Sequence, residues 1–247
     1  MPNPVYAQIA EALRQAIQQK VYQVGDRIPT EAQLATQFGV NRHTIRSAIA
    51  LLRDEGLLRV EQGRGTFVIS APIRYAIGDR VRYNEALKAQ GKNPKFKLLR
   101  ITEISADEAI APHLEVATQT PVIVLERLSF ADDEPISINS SYFPVKLFPD
   151  LVFQVQKLYS NSQQALSISK LLWEVYQCDH LRRSTYISAR KSKPSDARLL
   201  QVPIHYPVLV AESVNVNRQG EIIEYGVTRF RSDRMELVFE NNLDLSS

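Results

Sequence analysis

The feature that most constrains the fold is a pair of short helical patterns joined by two residues, Gly39 and Val40. Thr30 and Gln33 have the spacing of a capping box and predict the start of the first helix, which ends at Gly39. Asn41 is a favourable N-cap residue and predicts the start of the second helix. Apolar residues at helical spacing mark the buried sides of both helices: Leu34, Ala35, Phe38, Ile45, Ala48, Ile49 and Leu52. This order of helix, tight turn and helix predicts a helix-turn-helix.

Two further patterns flank this pair of helices. Apolar residues recur at four-residue steps from Val5 to Ile17 and predict a preceding helix. Residues 58–61 and 66–69 alternate like strands around the glycine-containing residues 62–65, which predicts a β-hairpin, the wing. The first seventy residues are therefore predicted to form a winged helix-turn-helix.

Arginines concentrate at two places in this predicted domain. Arg42 and Arg46 are four residues apart, on the face of the second helix opposite its apolar side, and Arg64 lies between two glycines at the wing tip. The domain has eight basic and six acidic residues, and we expect the acidic residues to avoid both places. Arginine can bond guanine in the major groove and can reach phosphates or the minor groove. This placement favours DNA recognition over the alternative, a solvated basic face beside an ordinary hairpin.

Fixed spacings in this domain extend the pattern from Ile28-Pro29-Thr30-Glu31 through Phe38 to Arg46 and on to Val68. Together they resemble the N-terminal domain of the GntR family of bacterial transcription regulators. The resemblance implies contacts to operator DNA from Arg42, His43, Thr44, Arg46, Gly63, Arg64 and Thr66. Asn41 also suits a phosphate, because it lies at the positive end of the helix dipole. Ala32 stands where many members have an arginine that meets DNA, so no operator sequence is carried over from the family.

The rest of the chain is predicted to form a second domain. Residues 71–78 have no clear period and predict a linker, which leaves 79–247 for this domain. Strands are predicted over 96–104, 122–130, 136–143, 182–191, 208–216 and 222–230. Helices are predicted over 79–90, after a capping box of Ser105 and Glu108, and around Leu166 to Trp173. Strands interspersed with helices and hairpins predict an α+β fold with a largely antiparallel sheet.

Short motifs in this second domain include Leu125-Glu126-Arg127, Ser141-Tyr142-Phe143-Pro144 and Ile223-Glu224-Tyr225. They resemble the UTRA ligand-binding domain of the HutC subfamily, which implies a chorismate-lyase-like fold that binds an effector and dimerises. The resemblance implies effector contacts from Arg127, Ser129, Asn139, Ser167, Ser169, Tyr186 and Glu224. Many members have a base at Ser129, an acid at Asn139 and a tyrosine at Phe230. These departures argue against carrying over a sugar-phosphate effector.

Arg127 and Glu224 each share a predicted strand face with apolar residues. A charge on such a face needs a partner or a ligand. One interpretation is a structural ion pair between the two side chains. The other is an anionic effector held by Arg127, with Ser167 and Ser169 at a nearby helix start. The sequence leaves both interpretations open.

Several protein classes are disfavoured by the sequence. No apolar run approaches the roughly 18 residues of a membrane span, the N-terminal residues lack the features of a signal peptide, and Cys178 is the only cysteine, so we expect a cytoplasmic protein. The four histidines lack metal-ligand spacing, and we find no catalytic or cofactor motif. The sequence predicts a homodimeric repressor that a small effector releases from a palindromic operator, without cofactor, metal or catalytic activity. The alternatives are a constitutive DNA-binding regulator and a lyase-type enzyme.

Overall fold

The computed structural model describes residues 4–61, 63–69, 72–161 and 167–240. The chain divides into two compact units, Met1–Pro72 and Ile73–Ser247. The first unit contains the predicted helix-turn-helix, and the second contains the large sheet.

Capping side chains set the helix boundaries of the first unit. Thr30 and Gln33 form the predicted capping box, in which the Thr30 backbone N–H donates to Gln33 Oε1 at 2.9 Å. Gly39 ends that helix in the left-handed conformation that glycine adopts readily, and Asn41 Oδ1 caps the next helix by accepting from the Thr44 N–H at 2.8 Å. The elements are α1 (Val5–Gln18), α2 (Glu31–Phe38), α3 (Arg42–Asp54), β1 (Leu58–Glu61) and β2 (Gly65–Val68). The predicted winged helix-turn-helix is confirmed.

A single apolar core holds the first unit together. Leu34 of α2 and Ile45 and Leu52 of α3 are fully buried, and the wing closes the core with Leu58 and Val68. Burying a side chain of this size stabilises the fold by about 1.5–3 kcal/mol. Because one side of α3 is committed to this core, its opposite side is left for solvent or a partner.

The second unit is built on a six-stranded antiparallel sheet in the order β4-β5-β6-β9-β8-β7. The strands are β3 (Ile73–Ala76), β4 (Pro94–Ser105), β5 (Pro121–Ala131), β6 (Glu134–Pro144), β7 (Leu181–Lys191), β8 (Pro207–Val216), β9 (Ile222–Arg231) and β10 (Met235–Val238). The helices are α4 (Tyr83–Ala89), α5 (Ala111–Leu114), α6 (Leu151–Asn161), α7 (Ile168–Tyr176) and α8 (Pro194–Leu200). β3 and β10 form a separate parallel pair. The predicted α+β class is confirmed.

The predicted linker, residues 71–78, differs from the structure. Ile73 and Tyr75 alternate inward as buried residues of β3, which pairs along its whole length with β10. Four residues are too few to show a period in the sequence, and the partner strand lies at the far end of the chain. Most of the predicted linker therefore belongs to the second unit.

Two predicted helix starts also need correction. The helix expected over 79–90 is confined to α4 (Tyr83–Ala89). Ser105 ends β4, and the turn that leads to α5 is capped by Asp107, whose Oδ1 accepts from two backbone N–H groups at 2.9 and 3.0 Å. The expected capping box of Ser105 and Glu108 is therefore wrong. Leu166, expected in a helix, lies outside the described residues.

The register of the large sheet brings distant residues into one cross-strand row. Arg127 on β5 is opposite Asn139 on β6, and Asn139 is opposite Thr228 on β9. Directly opposed side chains share a sheet face, so these three residues point to the same side. α6 and α7 pack on this side around Leu125 and Phe143, whereas α5 and α8 cover the other. The row therefore forms a polar region within the layer between the sheet and these two helices, which is otherwise apolar.

Candidate functional site

The outer side of α3 carries the residues predicted to read DNA. Arg42, His43 and Arg46 are exposed, and Thr44 is half-buried. The Thr44 hydroxyl donates to Asn41 Oδ1 at 3.0 Å. This cap uses the amide oxygen of Asn41 and leaves its NH₂ group as a donor at the positive end of the helix dipole. The arrangement exposes two guanidinium groups on one side of α3, beside the capping amide of Asn41.

Acidic side chains lie beside both groups of arginines, so the expectation that they avoid these places is wrong. Glu31 Oε2 is 2.8 Å from Arg46 Nε, and Glu61 is 2.6 Å from Arg64 Nη1 and 2.8 Å from Arg59 Nη2. Glu31 belongs to α2, and the fold places it beside Arg46 of α3. Helical spacing within α3 alone does not predict this contact. Exposed ion pairs are worth about 0.2–1 kcal/mol, less than the roughly 1–3 kcal/mol of a bidentate base contact. These exposed ion pairs are therefore weak enough to be replaced by a stronger acceptor.

The wing presents its predicted residues unequally. Gly63 and Arg64 are exposed at the tip, and Arg64 Cζ lies 5.9 Å from the centroid of the Phe67 ring, within cation–π distance. Thr66 is half-buried, and its carbonyl accepts from the Ile28 N–H at 2.9 Å. Arg64 is therefore the more accessible of the predicted wing side chains.

A cavity of about 110 Å³ in the second unit brings together six of the seven predicted effector residues. It lies on the sheet face that carries the Arg127–Asn139–Thr228 row. The predicted residues that line it are Arg127, Ser129, Asn139, Ser167, Ser169 and Glu224. Residues as far apart in sequence as β5 and β9 are thus assembled at one place.

Tyr186, the seventh predicted effector residue, lies elsewhere. It is 69% exposed on the edge strand β7, opposite Glu212. Its neighbour Thr185 has the opposite orientation and bonds Ser213, a cavity residue, at 2.8 Å. Side chains alternate between the two faces of a strand. A prediction that is wrong by one residue therefore places a side chain on the solvent face instead of the cavity face. The prediction for Tyr186 does not fit the cavity.

Arg127 is a half-buried cation whose buried Nε atom makes no hydrogen bond with any described residue. Burial lowers the pKa of Arg127, and the charge of the nearby Glu224 offsets only part of this effect. A buried donor of a charged group is unfavourable when it has no hydrogen-bond partner. The cavity therefore contains a cation suited to an anionic ligand.

Glu224, the alternative partner of Arg127, is engaged by other side chains. Its Oε2 accepts from His180 Nε2 at 2.5 Å and from Asn215 Nδ2 at 2.7 Å. Burial acts to raise the pKa of Glu224, but the charge of His180 and hydrogen bonds from three neighbours outweigh it and hold the pKa at about 2. The hydrogen-bonded ion pair in the cavity is His180–Glu224, so the structure does not support the interpretation of Arg127 as the partner of Glu224.

Ser169, His180 and Glu224 form a chain of hydrogen bonds whose order resembles a catalytic triad. The Ser169 hydroxyl donates to the Val81 carbonyl at 3.1 Å, because a carbonyl can only accept. In the tautomer that keeps this bond, His180 Nδ1, 2.8 Å from Ser169 Oγ, is the donor to Ser169. The imidazole then has no lone pair directed at Ser169 to take its proton, so this tautomer does not support nucleophilic catalysis.

A network of neutral side chains lies beside Arg127. Thr228 Oγ1 donates to Asn139 Oδ1 at 3.1 Å, and Asn139 Nδ2 donates to Ser129 Oγ at 2.8 Å. The Tyr83 hydroxyl oxygen lies 3.0 Å from Ser137 Oγ. Burial raises the pKa of Tyr83. Ser129 and Asn139 thus satisfy each other without charge. Their side chains make this part of the cavity wall polar. Because the network carries no charge, it does not compensate the charge of Arg127.

One wall of the cavity comes from the segment that follows the helix-turn-helix unit in sequence. Its lining residues are Tyr75, Ile77, Val81, Tyr83 and Asn84. Arg182, another lining residue, donates from Nη1 to the Gly78 carbonyl at 2.7 Å and from Nη2 to the Tyr75 hydroxyl at 3.0 Å. One side chain therefore contacts both the cavity and the start of the second unit.

Sequence reasoning missed several lining residues. Ser141 and Thr228 share strand faces with Asn139 and Glu224, so extending the two-residue period would have found them. His180 and Arg182 flank the start of β7, where no periodic pattern distinguishes them. Tyr75 and Ile77 were missed because they lie in the predicted linker, and Val81 was missed because it lies in the predicted helix over 79–90.

Neither a metal site nor a membrane span is found in the part of the chain that the structure describes. No group of three or more His, Cys, Asp or Glu side chains in those residues has the arrangement of a metal site. No helix in the same residues is long and apolar enough to cross a membrane.

The two units match two known families of domains. Residues 5–68 match the family described as "Bacterial regulatory proteins, gntR family", and residues 89–236 match the UTRA domain. The chain is a GntR-family transcription regulator with a UTRA domain. The helix-turn-helix and wing of this regulator are its DNA-binding unit, and the unit built on the large sheet is its UTRA unit.

Relatives of this GntR-family regulator align over nearly their full length. The uncharacterized HTH-type transcriptional regulator RB1450 of Rhizobium meliloti is 35% identical over 237 residues, which cover 96% of this chain and 94% of the relative. The mannosyl-D-glycerate transport/metabolism system repressor MngR of Escherichia coli is 29% identical over 94% of this chain and 93% of its own. The crystal structure of PhnF from Mycobacterium smegmatis matches with a TM-score of 0.70 and 26% identity, over 98% of this chain and 100% of that one. RB1450 and MngR are transcription regulators rather than enzymes.

Proposed function

We propose that this regulator is a cytoplasmic, homodimeric repressor of the HutC type that a small anion releases from a palindromic operator. The observation that carries the proposal is Arg127 in the cavity of the UTRA unit, whose buried Nε has no hydrogen bond to a described residue. Glu224 is bonded by His180 and Asn215, whereas Arg182 bonds the Gly78 carbonyl and the Tyr75 hydroxyl, neither of which is an acid. The charges that remain in the lining favour an anion.

On the DNA side, we infer that α3 enters the major groove and the wing tip contacts the backbone or the minor groove. The proposed contacts are Asn41, Arg42, His43, Thr44, Arg46, Gly63 and Arg64, with Thr66 contributing through the wing backbone. In a homodimer the two α3 helices would lie about 34–36 Å apart, one turn of DNA. A palindromic operator follows from that symmetry.

Arg182 connects the cavity with the segment that follows the DNA-binding unit in sequence. An anion in the cavity would compete with the Gly78 carbonyl and the Tyr75 hydroxyl for the Arg182 donors. Those two groups belong to the segment that the chain enters on leaving the DNA-binding unit. A ligand that binds better when this segment is displaced shifts the population away from the DNA-binding state. The description of MngR as a repressor supports release rather than recruitment.

The proposal is tested by selecting a duplex from a random library with the full-length protein and titrating the complex with small anions. The panel contains phosphate monoesters, phosphonates, amino-acid catabolites and fatty acids, and fluorescence anisotropy reports release. At least one class should weaken wild-type binding by about 5–150-fold and leave Arg127→Met on the DNA. Arg74→Met, which removes an exposed arginine paired with Glu236, serves as the control and should respond like the wild type.

Two results would overturn parts of the proposal. Tight duplex binding that no anion weakens, with no thermal shift by any of them, would favour a constitutive regulator. If an anion releases Arg127→Met from the duplex as readily as it releases the wild type, the anion binds at a site that does not use Arg127. Light scattering of the protein with and without the selected duplex tests the homodimer, and a monomer bound to an asymmetric site would contradict it.

A further inference from the structure

Arg27, in the segment before α2, lies on the wing and is outside the DNA-contact set above. The backbone N–H groups of Gly25 and Ile28 donate to β2 carbonyls at 2.9 Å, so this segment runs beside β2 like a third strand. Arg27 is bridged to Phe67 from one side, and Arg59 of β1 is paired with Phe67 from the other. Residues opposite each other in such a ladder share a face. The outer face of the wing therefore carries two arginines around one aromatic ring.

The side chain of Arg27 extends from this row toward the wing tip. It lies against Gly65, the first residue of β2, where a Cβ atom would overlap the Arg27 Nε. Gly65 has a φ of 124°, which side chains other than that of glycine rarely allow. The same glycine therefore turns the wing and leaves room for Arg27. Arg64, the adjacent tip residue, has its guanidinium over Phe67.

The arginines of this face differ in their acidic partners. Arg59 and Arg64 share the single carboxylate of Glu61. Arg27 is exposed and has no acidic partner among the residues that the structure describes. Three arginines and one carboxylate leave the face with two net positive charges. Glu61 is bound by the other two arginines, so the cation of Arg27 is the one left for an outside anion.

We propose that Arg27 binds a phosphate of operator DNA and thereby anchors the wing beside Arg64. The proposal rests on DNA binding by this family and is independent of the effector cavity. A phosphate contact strengthens binding to every sequence and releases counterions, so it appears in the salt dependence of affinity rather than in base preference. Arg27 would thus fix the position of the wing, while the arginines of α3 read the sequence.

The test uses the full chain carrying Arg27→Ala or Arg27→Lys, with Arg74→Ala in the UTRA unit as a matched loss of an exposed arginine. Fluorescence anisotropy measures affinity for the duplex selected by the wild type and for an unrelated duplex over a series of salt concentrations. We expect Arg27→Ala to reduce the slope of log affinity against log salt by about 0.9 for each bound copy of the chain. The reduction should be equal on both duplexes. Arg27→Lys should retain the wild-type slope, and Arg74→Ala should not change it.

Other outcomes would overturn the assignment. An unchanged slope for Arg27→Ala, with or without weaker binding, would mean that the side chain acts only by packing on Gly65. A loss confined to the selected duplex would mean that Arg27 reads bases. A reduced slope that Arg27→Lys does not restore, at an unchanged melting temperature, would mean that charge is not what matters. Wild-type binding to the selected duplex separates these outcomes from a failure of DNA binding itself.

Discussion

Replacing Arg127 by methionine is expected to stabilise the ligand-free protein while removing its response to the effector. Arg127 Nε is buried without a hydrogen bond to any described residue, and an unsatisfied buried polar group costs about 1–3 kcal/mol. Methionine keeps an unbranched chain of similar length, so the cavity wall stays filled. The substitution also removes a favourable interaction with the charge of Glu224, but Glu224 keeps its bonds to His180 and Asn215. The expected net gain is about 1–2 kcal/mol, which is the cost of the unsatisfied Nε less the lost interaction with Glu224.

Calorimetry in a buffer without phosphate or carboxylate measures this gain. For a unit of this size, 1 kcal/mol corresponds to roughly 2–4 °C, so the melting temperature of Arg127→Met should rise by about 2–8 °C. Arg182→Met is the matched control, because it removes hydrogen bonds that Arg182 makes to Gly78 and Tyr75, and its melting temperature should fall. If Arg127→Met melts lower than the wild type, Arg127 is a structural cation and the reasoning is refuted.

Three further predictions concern DNA reading, coupling and pH. Arg42→Ala and Arg46→Ala should each weaken binding to the selected duplex by about 1–3 kcal/mol and affect an unrelated duplex far less; anisotropy that shows equal losses would contradict base reading. Arg182→Lys keeps the charge but cannot bond two groups at fixed geometry, so titration should show anion binding retained and duplex release reduced. The ionised Glu224 contributes stability that is fully present above its ordinary pKa of 4.5 and is lost as the pH falls toward about 2. Melts over that range should show a shallower loss for Glu224→Gln, and a slope equal to that of the wild type would mean that Glu224 is not the titrating group.

The DNA-binding unit was predictable because its signals are local. The capping box at Thr30, the left-handed turn at Gly39 and the cap at Asn41 each act within a few residues, and one apolar period runs through each helix. The acidic partners of the arginines were not predictable in the same way. Glu31 meets Arg46 only because the turn at Gly39 brings the two helices together.

The effector cavity was predictable in part because strands alternate. Arg127, Asn139 and Glu224 were found from charges or polar groups on apolar faces and from the family resemblance. Tyr186 was misplaced because the face of an edge strand depends on a register that bulges change, and β7 has one between Arg182 and Ser184. The wall that precedes α4 depends on a parallel pairing with β10, a contact between the two ends of the UTRA unit that no local pattern shows.

If the anion site and the DNA-binding state of this protein are linked, the effect of each ligand on the other must be reciprocal, and a measurement of both effects is the most direct test. Once an anion that releases the duplex has been found, its affinity is measured by titration calorimetry for the free protein and for the protein saturated with the selected duplex. Linkage requires the duplex to weaken anion binding by the same factor by which the anion weakens duplex binding, and Arg127→Met should remove both effects together. Equal anion affinity with and without the duplex would contradict the linkage.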